Sequence, residues 1–172
     1  MKDIKDARIA PAAGLAGTVT VPGDKSISHR AACLGCLSGE GIEVTNYSNG
    51  EDCKSTLRCL EQLGFSVVRG DSGVRVRRGN GPCEAPVTLD AGNSGTTARL
   101  LCGLLSGIPG AFSVITGDES LSRRPMSRVV DPLRNLGARI DGREGGRLLP
   151  LSVRGTRLTG GTCTLSAASA QV

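Results

Sequence analysis

The sequence predicts an α/β (α+β) fold assembled from repeated βαβαββ units, the last of them truncated. Three observations point there. Leu37-Ser38-Gly39 returns as Leu105-Ser106-Gly107, 68 residues on, and Leu60-Glu61-Gln62-Leu63-Gly64 returns as Leu133-Arg134-Asn135-Leu136-Gly137, 73 residues on. The second copy has therefore gained a few loop residues. Four segments carry apolar residues at helical spacing, with short strand patterns between them.

In chain order, a strand is expected at Thr18–Val21. A first helix should place Ile27, Ala31, Leu34 and Leu37 on its inner face. A strand at Ile42–Thr45 follows, then a helix with Cys53, Leu57 and Leu60 inward. Gly64 sits where a helix C-terminal glycine belongs, before strands at Phe65–Val68 and Val74–Arg77. The second copy repeats the order. A strand at Val87–Leu89 leads to a helix lined by Ala98, Leu101, Cys102 and Leu105. A strand at Phe112–Ile115 leads to a helix lined by Met126, Val129, Val130 and Leu133, closed by Gly137. Strands at Ala138–Ile140 and Leu148–Val153 complete it. A third copy starts at Thr162–Leu165, where Leu165-Ser166-Ala167-Ala168-Ser169-Ala170 repeats the pattern of Leu89-Asp90-Ala91-Gly92-Asn93-Ser94. The sequence stops at Val172 with that helix barely begun, so a truncated chain is expected. Arginine-bearing strands such as Val74-Arg75-Val76-Arg77 suggest helices packed inward and sheets facing outward.

Composition narrows the function. Hydrophobic residues make up 38% of the chain, yet the aromatics are only Tyr47, Phe65 and Phe112. The core must be built from Leu, Val, Ile, Ala and Cys. Net charge is +5, which suits nucleic acid or small acidic ligands. Single-strand binding by base stacking lacks its aromatic platform, and the arginines sit at loop–helix junctions instead of in one basic run. No nucleic-acid partner is expected. Seven cysteines form an odd set in which only Cys33-Leu-Gly-Cys36 is a close pair, inside a helical pattern. They read as small buried apolar residues, with no metal site expected. No apolar run approaches the ~18 residues of a membrane span and no signal peptide is legible, so a cytoplasmic protein is expected.

The chemistry concentrates at three junctions. In Gly23-Asp24-Lys25-Ser26-Ile27-Ser28-His29-Arg30 a glycine turn opens a helix carrying a lysine, two hydroxyls and an arginine. Exposed N–H groups at a helix start, with fixed cations beside them, make an anion site. Asn93-Ser94-Gly95-Thr96-Thr97 opens a second helix carrying Arg99, and Gly117-Asp118 leads into Arg123-Arg124-Pro125. Lys25 is unfavourable near the positive end of a helix dipole, a cost that an anionic ligand offsets. Ser26 and Arg30, at i and i+4, share a face. Gly95 lets an anion approach backbone N–H groups closely. Pro125 fixes the backbone beside Arg124, whose planar fork suits a carboxylate or phosphate. The plainer alternatives are a solvated Lys25, a helix-capping Ser26, an Arg30–Asp24 ion pair, a tight turn at Gly95 and surface charge at Arg124. His29 reads as a packing or hydrogen-bonding group, and Glu51-Asp52 as an acid pair complementing a helix dipole.

GDKSISHRA, the NSGTTARLL helix start and GDESLSRRPM, in that order, resemble the 5-enolpyruvylshikimate-3-phosphate synthase family, over Val21 to the last residue. The resemblance implies an inside-out α/β barrel of two domains, each of three βαβαββ units, with the active site in the cleft between them. Residues 1–20 would then belong to the other, mostly missing domain, and 21–172 to a partial substrate-binding domain. The implied reaction moves the enolpyruvyl group of phosphoenolpyruvate to the 5-hydroxyl of shikimate 3-phosphate, in the shikimate pathway to aromatic amino acids. Lys25 would touch both substrates, Ser26 and Arg30 shikimate 3-phosphate, and Gly95 and Arg124 phosphoenolpyruvate. Ser169 and Gln171 match the family's Ser-x-Gln contact to shikimate 3-phosphate, with Gln171 also reaching phosphoenolpyruvate. Ala170 replaces a serine common there. Sensitive members often carry proline where this chain has Leu100, which bears on the response to glyphosate. No cofactor or metal is implied, the full-length enzyme is expected to be a monomer, and its acid–base residues lie mainly beyond this segment, so no catalytic residue is assigned here. A UDP-sugar enolpyruvyl transferase and a non-enzymatic phosphate-binding module are the alternatives.

Overall fold

The computed structural model describes residues 10–79 and 84–164. Helix α1, Lys25–Gly35, starts at Asp24, whose carboxylate accepts the Ile27 N–H at 2.7 Å. Helix α2, Glu51–Gln62, has no side-chain cap at Gly50, but Glu51 and Asp52 fill its first turn, where the helix dipole favours negative charge. Helix α3, Gly95–Ser106, is capped by Ser94, whose hydroxyl accepts the Thr97 N–H at 3.1 Å. Helix α4 spans Ser127–Asn135. Helices α2 and α4 end alike. Gly64 and Gly137 take φ of 84° and 95°, a left-handed backbone that favours glycine. The next amides then reach back, Phe65 N–H to the Leu60 carbonyl at 3.0 Å and Ala138 N–H to the Leu133 carbonyl at 2.9 Å.

The strands form two separate sheets. In the first, β1 (Ile42–Thr45), β2 (Ser66–Gly70) and β3 (Gly73–Arg77) run in the order β1-β3-β2, all antiparallel. The second contains β4 (Leu89–Asp90), β5 (Phe112–Thr116), β6 (Arg139–Gly142) and β7 (Leu148–Arg154), in the order β4-β5-β7-β6. Within it β5, β7 and β6 reproduce the arrangement of β1, β3 and β2, and β4 adds a parallel edge beside β5. The repeat read from the sequence is thus a repeat of topology. Val74 and Val76 of β3 are buried while Arg75 and Arg77 face out; α1 and α2 pack on the first sheet, α3 packs on the second, and α3 touches both other helices, so the helices lie between the sheets.

One apolar cluster joins both units, from Leu57 and Leu60 through Leu101 and Leu105 to Ile115, Leu149 and Leu151. Each such side chain contributes roughly 1.5–3 kcal/mol by leaving water. The buried faces of α2 and α3 match expectation: Cys53, Leu57 and Leu60, then Ala98, Leu101, Cys102 and Leu105.

Three expectations need correction. The inner face of α1 is Ser28, His29, Ala32, Cys33 and Gly35, whereas Ile27 and Leu34, with Leu37 just beyond the helix, are exposed. Helices α2 and α3 press closely on α1, and small residues permit that approach where leucines do not. Thr18–Val21 forms no strand; Val19 and Val21 are 82% and 68% exposed, and Val21 is held through its carbonyl by the Asn46 amide at 3.1 Å. The strand set at Thr162–Leu165 is irregular through residue 164, and Leu165 lies outside the described residues. Cys33, Cys36, Cys59 and Cys102 are buried, and burial pushes each thiol up to about 12, so all four remain protonated.

Candidate anion-binding site

The start of α1, the first turn of α2, the start of α3 and the segment before α4 meet around a cavity of about 670 Å³. Lys25, Ser26, Arg30, Asp52, Gly95, Thr96, Arg99, Leu100, Arg124 and Val129 line it. Five of the seven site residues expected from sequence therefore stand on one concave surface. The other two, Ser169 and Gln171, lie outside the described residues. Four cationic side chains face one carboxylate in this lining, so the cavity carries an excess of positive charge.

Each cation is held differently. Lys25 Nζ pairs with the Asp52 carboxylate. That pairing offsets the unfavourable position of a cation at a helix N-terminus without needing a ligand. Asp52 thus has a second role beside the dipole role read from sequence. Arg124 lies in extended backbone before Pro125, with φ −84° and ψ 135°. Its guanidinium donates to the Asn93 carbonyl at 3.3 Å, to Asn93 Oδ1 at 2.7 Å and to Ser120 Oγ at 3.1 Å. Asn93 is itself anchored, its amide donating to Asp118 Oδ2 at 2.6 Å. Asp118 also caps the turn Leu121–Arg123 by accepting the Leu121 N–H at 2.7 Å. The Asn93 hydrogen bond, then the Leu121 N–H, hold the Asp118 carboxyl below its ordinary value. An ordered chain from Asp118 through Asn93 therefore aims Arg124.

Ser26 and Arg30 make no hydrogen bond or ion pair among the described residues, which leaves both side chains available to a ligand. The two plainer readings for them fail for one reason. Asp24, not Ser26, caps α1, and with its carboxylate engaged on the Ile27 N–H it makes no pair with Arg30. Arg123, beside the site in sequence, turns to Glu119.

Two charged lining residues, Arg99 and Asp52, were not assigned to the site from sequence. Arg99 stands one turn along α3 from Gly95, the spacing that also separates Ser26 from Arg30. Its Nη2 donates to the Pro125 carbonyl at 3.1 Å, and its Nε is buried with no partner among the described residues. Burial, followed by the nearby charges of Arg124 and Arg128, weakens its hold on its proton. The spacing was the available signal. Asp52 gave none, since its pairing with Lys25 spans 27 residues.

His29 is fully buried. Its Nδ1 lies 2.7 Å from Thr56 Oγ1 and its Nε2 has no partner among the described residues. It therefore has the hydrogen-bonding role expected of it, beneath the cavity instead of in it.

Nearly the whole chain is similar to one family of known proteins. The family model for EPSP synthase (3-phosphoshikimate 1-carboxyvinyltransferase) matches residues 9–172. A 3-phosphoshikimate 1-carboxyvinyltransferase of Desulforudis audaxviator (strain MP104C) is 53% identical over 169 residues, covering 96% of this chain and 39% of that protein. Its namesake from Pelotomaculum thermopropionicum (strain DSM 13744 / JCM 10971 / SI) is 54% identical over 171 residues, covering 97% and 39%. The solved EPSP synthase from Acinetobacter baumannii superposes with a TM-score of 0.82 at 41% identity, covering 90% of this chain and 36% of that one. The chain thus spans 39% of the length of these curated relatives.

Proposed function

The chain belongs to the EPSP synthase family, and on that premise we propose that its cavity holds shikimate 3-phosphate and phosphoenolpyruvate for enolpyruvyl transfer to the 5-hydroxyl. The observation that carries the reading is the convergence of Lys25, Ser26, Arg30, Gly95, Arg99 and Arg124 on one cavity with a single opposing carboxylate. Ser26 and Arg30, unpaired among the described residues, form a patch for the phosphate and ring hydroxyls of shikimate 3-phosphate. Gly95 exposes the start of α3 to the phosphate of phosphoenolpyruvate, and the two-toothed Arg124 receives its carboxylate or phosphate. Lys25 lies between them and exchanges Asp52 for the ligands. The wall positions two anions and neutralises their mutual repulsion. Ser169 and Gln171 would add contacts to the same substrates.

Residues 1–20 belong, in this reading, to a second domain, and 21–172 to one substrate-binding domain. The proton transfers that the reaction requires are assigned to residues beyond this segment. The 172-residue chain by itself should therefore bind without turnover. Losing positioned acid–base groups alone costs about 10²–10⁴-fold.

Titration of the labelled chain with shikimate 3-phosphate, followed by backbone amide resonances, tests the proposal. Shifts should concentrate at Lys25–Ser28 and Gly95–Thr97. Shifts elsewhere, with these unmoved, refute the site. Equal response to inorganic phosphate and shikimate 3-phosphate would favour a general phosphate-binding module.

A further inference from the structure

Under the cavity, a chain of buried polar side chains crosses three helices. His29 on α1, Thr56 on α2, and Thr97 with its neighbour Ser94 on α3 are all fully buried. His29 Nδ1 lies 2.7 Å from Thr56 Oγ1, and Thr56 Oγ1 lies 2.7 Å from Thr97 Oγ1. Thr97 Oγ1 in turn donates to Ser94 Oγ at 2.7 Å and to the Asp52 carbonyl at 3.2 Å. Buried hydroxyls left unpaired are costly, so this network must be satisfied as a unit.

Its placement is what matters. His29 stands four residues after Lys25, and Thr56 four residues after Asp52, so each lies one helical turn below a cavity residue. The Lys25–Asp52 ion pair and the His29–Thr56 hydrogen bond are successive rungs between α1 and α2. Thr97 extends the lower rung to the capping residue Ser94, and Gly95 follows directly. We propose that Thr56 is a positioning residue for the cavity: its hydroxyl, bonded to both His29 and Thr97, fixes the starts of α1 and α3 relative to each other. Lys25 and Gly95 are thereby held at one separation. The functional use of this rests on the substrate reading above; the geometry does not.

Proton accounting sharpens the inference. A hydroxyl has one proton, and a carbonyl only accepts. The single Thr97 proton is shared between Ser94 Oγ and the Asp52 carbonyl in a three-centre bond. The Thr56–Thr97 bond must then use the Thr56 proton. The His29–Thr56 bond must therefore use a proton on Nδ1. Burial disfavours a second proton on the ring, so His29 is the neutral Nδ1–H tautomer, and Nε2, without a partner among the described residues, is left with a lone pair.

His29 is the sole histidine, so its ring nitrogens are read without ambiguity by long-range ¹H–¹⁵N NMR on the 172-residue chain. The expected result is one neutral tautomer protonated at Nδ1 in the wild type and in Thr56→Ser. In Thr56→Val, that preference should be lost and the Lys25 and Gly95 amide resonances should move. Affinity for shikimate 3-phosphate should fall about tenfold in Thr56→Val, because small displacements at a positioned site are costly, and should be retained in Thr56→Ser. A wild-type ring protonated at Nε2 overturns the proposal. So does a folded Thr56→Val chain with Lys25 and Gly95 unmoved. Should Thr56→Val not fold, the wild-type tautomer decides. Absence of ligand binding by the wild type, with the tautomer and amide shifts as expected, refutes the substrate reading and leaves the positioning role intact.

Discussion

A Cβ placed on Gly95 would lie 2.5 Å from Nη1 of Arg99, one turn along the same helix. The crowding falls on the mobile end of a side chain, so the fold can absorb it. The next neighbour, Leu121 Cδ1, would be at an ordinary 3.6 Å. Gly95→Ala should leave stability unchanged or raise it by up to about 1 kcal/mol, since alanine is the better helix former. It should nevertheless weaken phosphoenolpyruvate binding by displacing Arg99 and narrowing the approach to the α3 N–H groups. Urea unfolding and ligand titration on the same variant separate the two effects. A variant that loses stability but keeps affinity contradicts this.

Arg124 is aimed by Asn93 through two hydrogen bonds. Arg124→Lys keeps the charge and removes the fork. A hydrogen bond to a charged group is worth about 1.5–3 kcal/mol, so affinity for phosphoenolpyruvate should fall about tenfold to a hundredfold. Asn93→Ala keeps the guanidinium and removes its aim, and should move affinity in the same direction. Unchanged affinity in both variants would show that Arg124 stands outside the binding surface.

His29 supplies a pH signature. Burial first, then the Lys25 charge, hold its pKa below the ordinary 6.5. The unfolded chain therefore takes up this proton more readily than the folded one. Stability from this group is complete above about pH 6.5 and is lost as the pH falls below it, by at most about 1.4 kcal/mol per unit. Few other groups titrate in that window. Denaturant unfolding at about pH 7.5 and about pH 5.5 should show the loss, and His29→Gln should flatten it. A wild-type chain equally stable at both pH values contradicts the buried neutral ring.

Much of the site was legible because its residues cluster locally. Lys25, Ser26 and Arg30 share one motif, Gly95 begins another, and Arg124 is set by its own proline. What escaped the sequence is contact across the chain. The apolar stripe Ile27, Leu34 and Leu37 announced an inner face for α1, but periodicity cannot say which side meets a neighbouring helix. The close approach of α2 and α3 selected Ser28, His29 and Ala32 instead. Asp52 and Thr56 take their roles from partners 27 residues away on α1 and, for Thr56, 41 residues away on α3. The glycine closures at Gly64 and Gly137 were legible because their chemistry is confined to a few consecutive residues.

Core truncation should be felt in both units, since one cluster joins them. Leu101 is fully buried on α3. Leu101→Ala should cost about 2–5 kcal/mol and unfold the chain in a single transition. Two separated transitions in urea would show that the repeats are independent.

The central claim is that the cavity over α1 and α3 is a site for phosphorylated, carboxylated substrates. Calorimetric titration of shikimate 3-phosphate into the wild-type chain and into Arg30→Ala tests it most directly. Arg30 has no structural hydrogen bond or ion pair to lose among the described residues, so its removal should leave the fold intact. The wild type should bind with a Kd below about 1 mM, equivalent to roughly 4 kcal/mol, and Arg30→Ala should bind at least about tenfold more weakly. No heat of binding at millimolar ligand, or equal affinity in the two chains, would contradict the account.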